Sequence, residues 1–200
     1  MHSYATDSEE KKLILFILAL ISMGAAWLLY EFMTWVGSQT NLTPPWWIEM
    51  PSVLTFYGAF YAIFDKWIWR KNIVRKLGLV RIPDLSGKWK GYLKTSHDGF
   101  KKEYEATLEI FQSWTQIGIS QQTQTSRGQS FVATIFAKEP DAKRLFFMYQ
   151  NRPKADTDPN MHQHIGSAQL VLSDGILSGD YYNCERDRPT YGTLHFQKAT

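Results

Sequence analysis

Residues 84–93 read DLSGKWKGYL. Trp89, Gly91 and Leu93 alternate with Lys88, Lys90 and Tyr92. That period of two places one set of side chains in a core and the other in water. The stretch is predicted to be the first strand of an antiparallel sheet. The same alternation returns at residues 103–111, 116–123, 129–137, 144–151, 163–172, 176–182 and 190–197, separated by SHDG, SRGQ, KEPDAK, SDG and ERDRP. Ser173-Asp174-Gly175 is a strong hairpin turn. A sheet of eight short strands with no helix to cover it exposes two edges. Closure into an up-and-down barrel removes them, and a two-sheet sandwich is the alternative.

What precedes the strands is a different material. Residues 13–30, LILFILALISMGAAWLLY, carry no charge, and neither do residues 51–64, PSVLTFYGAFYAIF. A helix needs roughly 20 apolar residues to cross about 30 Å of hydrocarbon. Buried helices of a soluble domain are the alternative, but two such runs would overfill a core of this size. A cleaved signal peptide does not fit a long apolar run followed by a second one. The expected organisation is therefore a short terminus at 1–12, spans at 13–36 and 51–70 joined by a connection at 37–50, a basic linker helix at 71–82, and a ligand-binding barrel at 83–200. The connection has no Lys or Arg, whereas Lys66, Arg70, Lys71, Arg75, Lys76 and Arg81 follow the second span. Positive flanks stay cytoplasmic, so both termini are expected there. Trp27, Trp35, Trp46 and Trp47 suit one interface, and Trp67 and Trp69 the other. Ser22/Ala26 and Gly58/Ala62 have the spacing that lets helices approach closely. The lone Cys184 offers no internal disulfide.

The chain of 200 residues has a net charge of +3, but residues 83–200 hold 14 Lys and Arg against 13 Asp and Glu. That balance excludes a bulk electrostatic footprint for duplex DNA. Nothing marks an enzyme: GxSxG, a Walker loop, GxGxxG and HExxH are all missing, and Cys184 has no base beside it. His162 and His164 would need His195 or Asp158 to hold zinc; a histidine packed at a strand entry is the plainer reading. No cofactor or metal is expected.

In an up-and-down barrel the loops after strands one, three, five and seven share one rim. That rim gathers Arg127, Arg152, Lys154, Arg186 and Arg188 with tyrosines and amides, interleaved with Asp156, Asp158, Glu185 and Asp187. Guanidinium groups suit phosphates and aromatic faces suit bases, so a small nucleotide fits; a solvated polar rim fits the same residues. The candidate ligand-binding residues are Tyr149, Asn151, Arg152, His164, Tyr182, Asn183, Arg188 and Thr190.

The order of these parts resembles the two-transmembrane β-barrel effectors of bacterial CBASS anti-phage systems, partners of CD-NTase enzymes. The motifs that carry the likeness are DLSGKWKGYL, YQNRP, HIG at 164–166 and LSGDYYNCERDRPTYGTL at 177–194. The resemblance implies an inner-membrane, two-span protein with a periplasmic connection and a small eight-stranded, lipocalin-like barrel. It also implies that a cyclic dinucleotide from the CD-NTase binds the barrel. Binding would drive homo-oligomerisation, and the assembly would disrupt inner-membrane lipid, an abortive infection response. The competing expectation is a membrane-tethered, lipocalin-like carrier of a fatty acid or another apolar ligand. That carrier needs an open apolar interior.

Overall fold

The computed structural model of the chain describes residues 1–40, 49–138, 142–155, 157, 162–183 and 189–199. It forms two compact units, one of Met1–Ser8 with Ile82–Thr200 and the other of Glu9–Arg81. In the first, two short strands, β1 (His2–Ser3) and β2 (Ala5–Thr6), accompany eight longer ones. These are β3 (Gly87–Thr95), β4 (Tyr104–Gln112), β5 (Gln116–Thr123), β6 (Ser126–Phe136), β7 (Lys143–Pro153), β8 (His164–Ser173), β9 (Ile176–Asn183) and β10 (Thr190–Lys198).

Each of the eight pairs antiparallel with the next, and β10 returns to β3 from Gly192↔Thr95 to Lys198↔Trp89. That last pairing makes the sheet a closed barrel rather than a sandwich. The opening stretch behaves as its alternation predicts: Trp89 is 2% exposed, while Lys88 and Lys90 are in water. Gly87 opens β3 at φ 117°, a backbone that L side chains rarely adopt. Behind it the Trp89 indole Nε1 donates to the Leu85 carbonyl at 2.9 Å. Trp89, Leu108, Ile117, Leu145, Phe147 and Phe196 are fully buried and fill the bore from the β3 entry upward.

Closure is incomplete at one seam. β5 and β6 pair only at Ser120↔Gln129, Gln121↔Gly128 and Gln122↔Arg127. A register shift between Ser130 and Val132 then bends β6 away. The start of the chain fills the gap. β1 pairs antiparallel with β5 (His2↔Ile117, Ser3↔Gln116), and β2 pairs parallel with β6 (Ala5↔Thr134, Thr6↔Ile135). At the fork, Ser130 Oγ accepts from the Ile119 N–H at 2.9 Å and meets His2 Nε2 at 2.9 Å. Tyr4 is 5% exposed and donates its hydroxyl to the Trp114 carbonyl at 2.7 Å. The Asp7 carboxylate accepts from the N–H groups of Ala137 (2.7 Å) and Lys138 (3.1 Å). Residues 1–8 of the short terminus expected at 1–12 thus supply a strap that belongs to the barrel.

The second unit holds α1 (Glu10–Thr40), α2 (Glu49–Lys66), a 3-10 turn (Ile68–Arg70) and α3 (Asn72–Lys76). Among the described residues one helix, Glu10–Gln39, is long and apolar enough to cross a membrane; at 1.5 Å per residue it is about 45 Å long. The two-span hairpin expected from sequence is therefore matched here by one such helix. α1 turns Phe16, Trp27, Leu28 and Trp35 outward, each more than half exposed, a surface unsuited to water. Its buried stripe is Ile14, Leu18, Ser22 and Ala26, four residues apart. α1 packs against α2, whereas Gly58 and Ala62 of α2 are exposed. Trp69, assigned from sequence to an interfacial belt, is fully buried, and Trp46 and Trp47 lie outside the described residues. The linker helix expected over 71–82 is shorter, because Gly78 at φ 70° stops it. The two ends of this unit meet: the Arg81 N–H donates to Glu10 Oε2 at 2.6 Å.

Burial alone would raise the Asp7 pKa, but the Ala137 and Lys138 N–H groups outweigh it and hold the carboxyl below its ordinary 3.8. A lowered carboxyl pKa contributes stability above the unfolded value and loses it as pH falls through the folded one. Wild type is therefore expected to melt above Asp7→Ala at pH 6, with the gap closing below about pH 3.8 as Asp7 protonates. Paired thermal melts across that range check this; a gap that persists in acid assigns the effect to something other than the carboxylate.

Candidate ligand site at the barrel mouth

The bore changes character along its length. Above the apolar fill, the inward positions of the strand ends carry Thr95, Gln121, Thr123, Ser126, Asn151, His164, Asn183 and Thr190. Two tyrosines divide the halves. Tyr149 on β7 crosses Gly166 of β8 and donates its hydroxyl to Asn183 Oδ1 on β9 at 3.0 Å. The Asn183 amide then donates to Thr190 Oγ1 on β10 at 2.9 Å. Tyr181 on β9 repeats the device, crossing Gly192 of β10 to share a hydrogen bond with Thr95 on β3.

The glycines are what permit it. A Cβ on Gly166 would lie 2.5 Å from Tyr149 Cζ and 2.7 Å from Asn183 Oδ1; one on Gly192 would lie 2.6 Å from Tyr181 Cε1. Tyr149 and Tyr181 are 4% and 6% exposed, and Tyr149 also leans on Phe147 at 5.8 Å between ring centroids. Together they roof the apolar fill and floor the polar mouth.

Charged groups stand around the rim of the mouth. On the β3–β4 side, Asp98 Oδ2 accepts from the Tyr104 hydroxyl at 3.2 Å and the Lys102 N–H at 3.1 Å. Burial first, and the Asp98 and Tyr104 groups after it, push the Tyr181 phenol up despite the Thr95 bond, so it stays neutral near pH 7. On the β5–β7 side, Lys154 Nζ bonds the carbonyls of Thr123 (3.0 Å) and Gln124 (2.7 Å). Arg127 and Arg152 sit opposite each other there. Lys101 and Lys102 follow Asp98 in the same β3–β4 loop, so neither side of the mouth is of one sign.

Of the candidates read from sequence, Tyr149, Asn151, His164, Asn183 and Thr190 face the bore, three of them joined by the hydrogen-bond relay. His164 Nδ1 lies 3.1 Å from the His162 carbonyl. Two candidates point the other way. Arg152 is exposed, with Nη2 donating to Gln150 at 3.3 Å. Tyr182 is 55% exposed and stacks on Tyr191 across the outer face. Arg188, with Arg186, Cys184 and Asp158, lies outside the described residues. Sequence reading missed Gln121, Ser126 and Tyr181. Among the described residues no group of three metal-ligating side chains forms.

Two family profiles match the chain. One is described as "Cap15, cyclic dinucleotide receptor domain" and covers residues 80–198; the other, "Cap15, TM helices", covers residues 12–70. A curated relative, CD-NTase-associated protein 15 of Yersinia aleksiciae, is 30% identical over 140 residues, which is 69% of this chain and 65% of that protein. The chain therefore spans less than two thirds of the length of the relative it matches.

Because Gly166 lets Tyr149 cross β8, Gly166→Ala is expected to displace the ring and destabilise the barrel by about 1–3 kcal/mol. In the Tyr149→Ala background the same change should cost much less. A double-mutant cycle from denaturant midpoints measures the coupling; additive costs would mean that the two residues do not interact.

Proposed function

This chain belongs to the Cap15 family, and from that premise we propose that it is a CBASS effector whose barrel mouth receives a cyclic dinucleotide made by a partner CD-NTase. Ligand binding promotes assembly of the barrels, and the apolar helices then breach the inner membrane of the infected cell. The observation that carries this reading is a polar mouth with Lys154 at its rim, above a bore already filled by side chains. Such a site takes a compact polar anion at its entrance. It does not suit a lipid carrier, since Trp89, Phe147 and Phe196 occupy the space an acyl chain needs.

The membrane arrangement has independent support. The Glu10–Arg81 hydrogen bond brings the two ends of the helical unit together, and barrel residues flank that unit on both sides in sequence. A segment that starts and ends on one side of a bilayer crosses it an even number of times. With α1 able to span, α2 supplies the return, giving two spans and cytoplasmic termini beside the basic residues 66–81. A ligand shifts assembly only by binding the assembled state more tightly, so leakage should depend on ligand.

The test uses full-length protein in dye-loaded liposomes. A cyclic dinucleotide is expected to raise dye release several-fold over ligand-free protein, with fatty acid inert. Equal leakage with and without any dinucleotide would refute the effector reading, and tight uptake of fatty acid alone would favour a carrier.

A further inference from the structure

β5 sends one amide into the bore. Gln121 is 9% exposed, and its carbonyl oxygen is sealed from solvent without a hydrogen-bond partner among the described residues. An acceptor left in this way is unfavourable for the ligand-free fold. The register sets Gln121 opposite Gly128, Gly128 opposite Asn151, and Asn151 opposite His164. A Cβ on Gly128 would lie 3.2 Å from Tyr149 Cδ2 and 3.7 Å from both Gln121 Cβ and Asn151 Oδ1. The two amide side chains thus flank a position that has no side chain of its own. Asn151 is half-buried, and its amide bonds no other described residue. Asn183, one row deeper, already accepts from Tyr149 and donates to Thr190. Idle amides are therefore confined to this row.

A carboxamide presents a donor and an acceptor side by side, which is the complement of a nucleobase edge. This row carries no Lys or Arg, while Lys154 stands at the mouth. We propose that Gln121 and Asn151 form the base-reading pair of the mouth: one base of the dinucleotide settles at the edge of the Tyr149 ring beside Gly128 and meets both amides, while its phosphates stay toward Lys154. This rests on the dinucleotide reading given above. It assigns base choice to β5 and β7, and phosphate attraction to the rim.

Calorimetric titration of the full chain in detergent with cyclic di-AMP, cyclic di-GMP, cyclic GMP–AMP and cyclic di-UMP tests it. Gln121→Met keeps the shape and removes the amide. It is expected to bind the preferred ligand at least ~10-fold more weakly and to narrow the spread between best and worst ligands. Without ligand it should melt a few degrees higher, because the unpaired acceptor is gone. Asn151→Ala, at a half-exposed position, provides the same test of affinity and spread should Gln121→Met fail to fold. Unchanged affinity and rank order in both variants overturns the proposal while leaving the dinucleotide reading intact. A lower melting point with unchanged affinity in Gln121→Met makes Gln121 structural and also overturns it. If wild type binds none of the four ligands, the dinucleotide reading fails and the base-reading role falls with it.

Discussion

Closing a sheet on itself requires a partner for every backbone N–H and C=O along each strand, and at one place in this barrel the neighbouring strand supplies only part of them. β5 and β6 separate after three residue pairs. Left open, each would present a bare edge ready to pair with another chain. The strap from the chain's own start removes that hazard with short pairings and three side-chain anchors, at His2, Tyr4 and Asp7. The apolar fill depends on this, since Ile117, Ile119, Ala133 and Ile135, on the strands beside the gap, are all buried.

Above the fill, the barrel solves a second packing problem with a repeated piece of geometry. An eight-stranded bore is just wide enough to be filled by side chains, so a mouth that is polar and partly open needs a floor. Tyr149 and Tyr181 provide it by lying across glycines of the next strand rather than standing upright. Each hydroxyl reaches a polar side chain two strands away, so a buried phenol is satisfied. The arrangement keeps the mouth shallow, within reach of half-buried Asn151, His164, Asn183 and Thr190.

Much of this was legible from sequence, for identifiable reasons. Period two located all eight long strands, because Trp89, Leu108 or Phe147 cannot change faces without exposing the core. Strand parity also fixed which loops share the rim. The same parity went unused at two pairs. Asn151 and Arg152 are adjacent, as are Tyr182 and Asn183, and one strand cannot send neighbours into the same bore. Once Asn183 faces inward, Tyr181 is the tyrosine that joins it. Gln121 left no local mark, since its significance lies in what surrounds Gly128. Nor did the strap, whose few residues have no apolar period and whose partners are far along the chain.

That distance governs the order in which the molecule is made. Tyr4 and its partner Trp114 are 110 positions apart, and Asp7 is 130 from Ala137. During synthesis the strap emerges before β5 and β6. It must wait until β5 and β6 are translated, because the strands it bridges do not yet exist. Completing the seam is thus among the last events of folding, and loop closure over such a span is slow. Until then each nascent copy carries an open β5–β6 edge, so the interval before closure is when neighbouring chains are most exposed to pairing with one another.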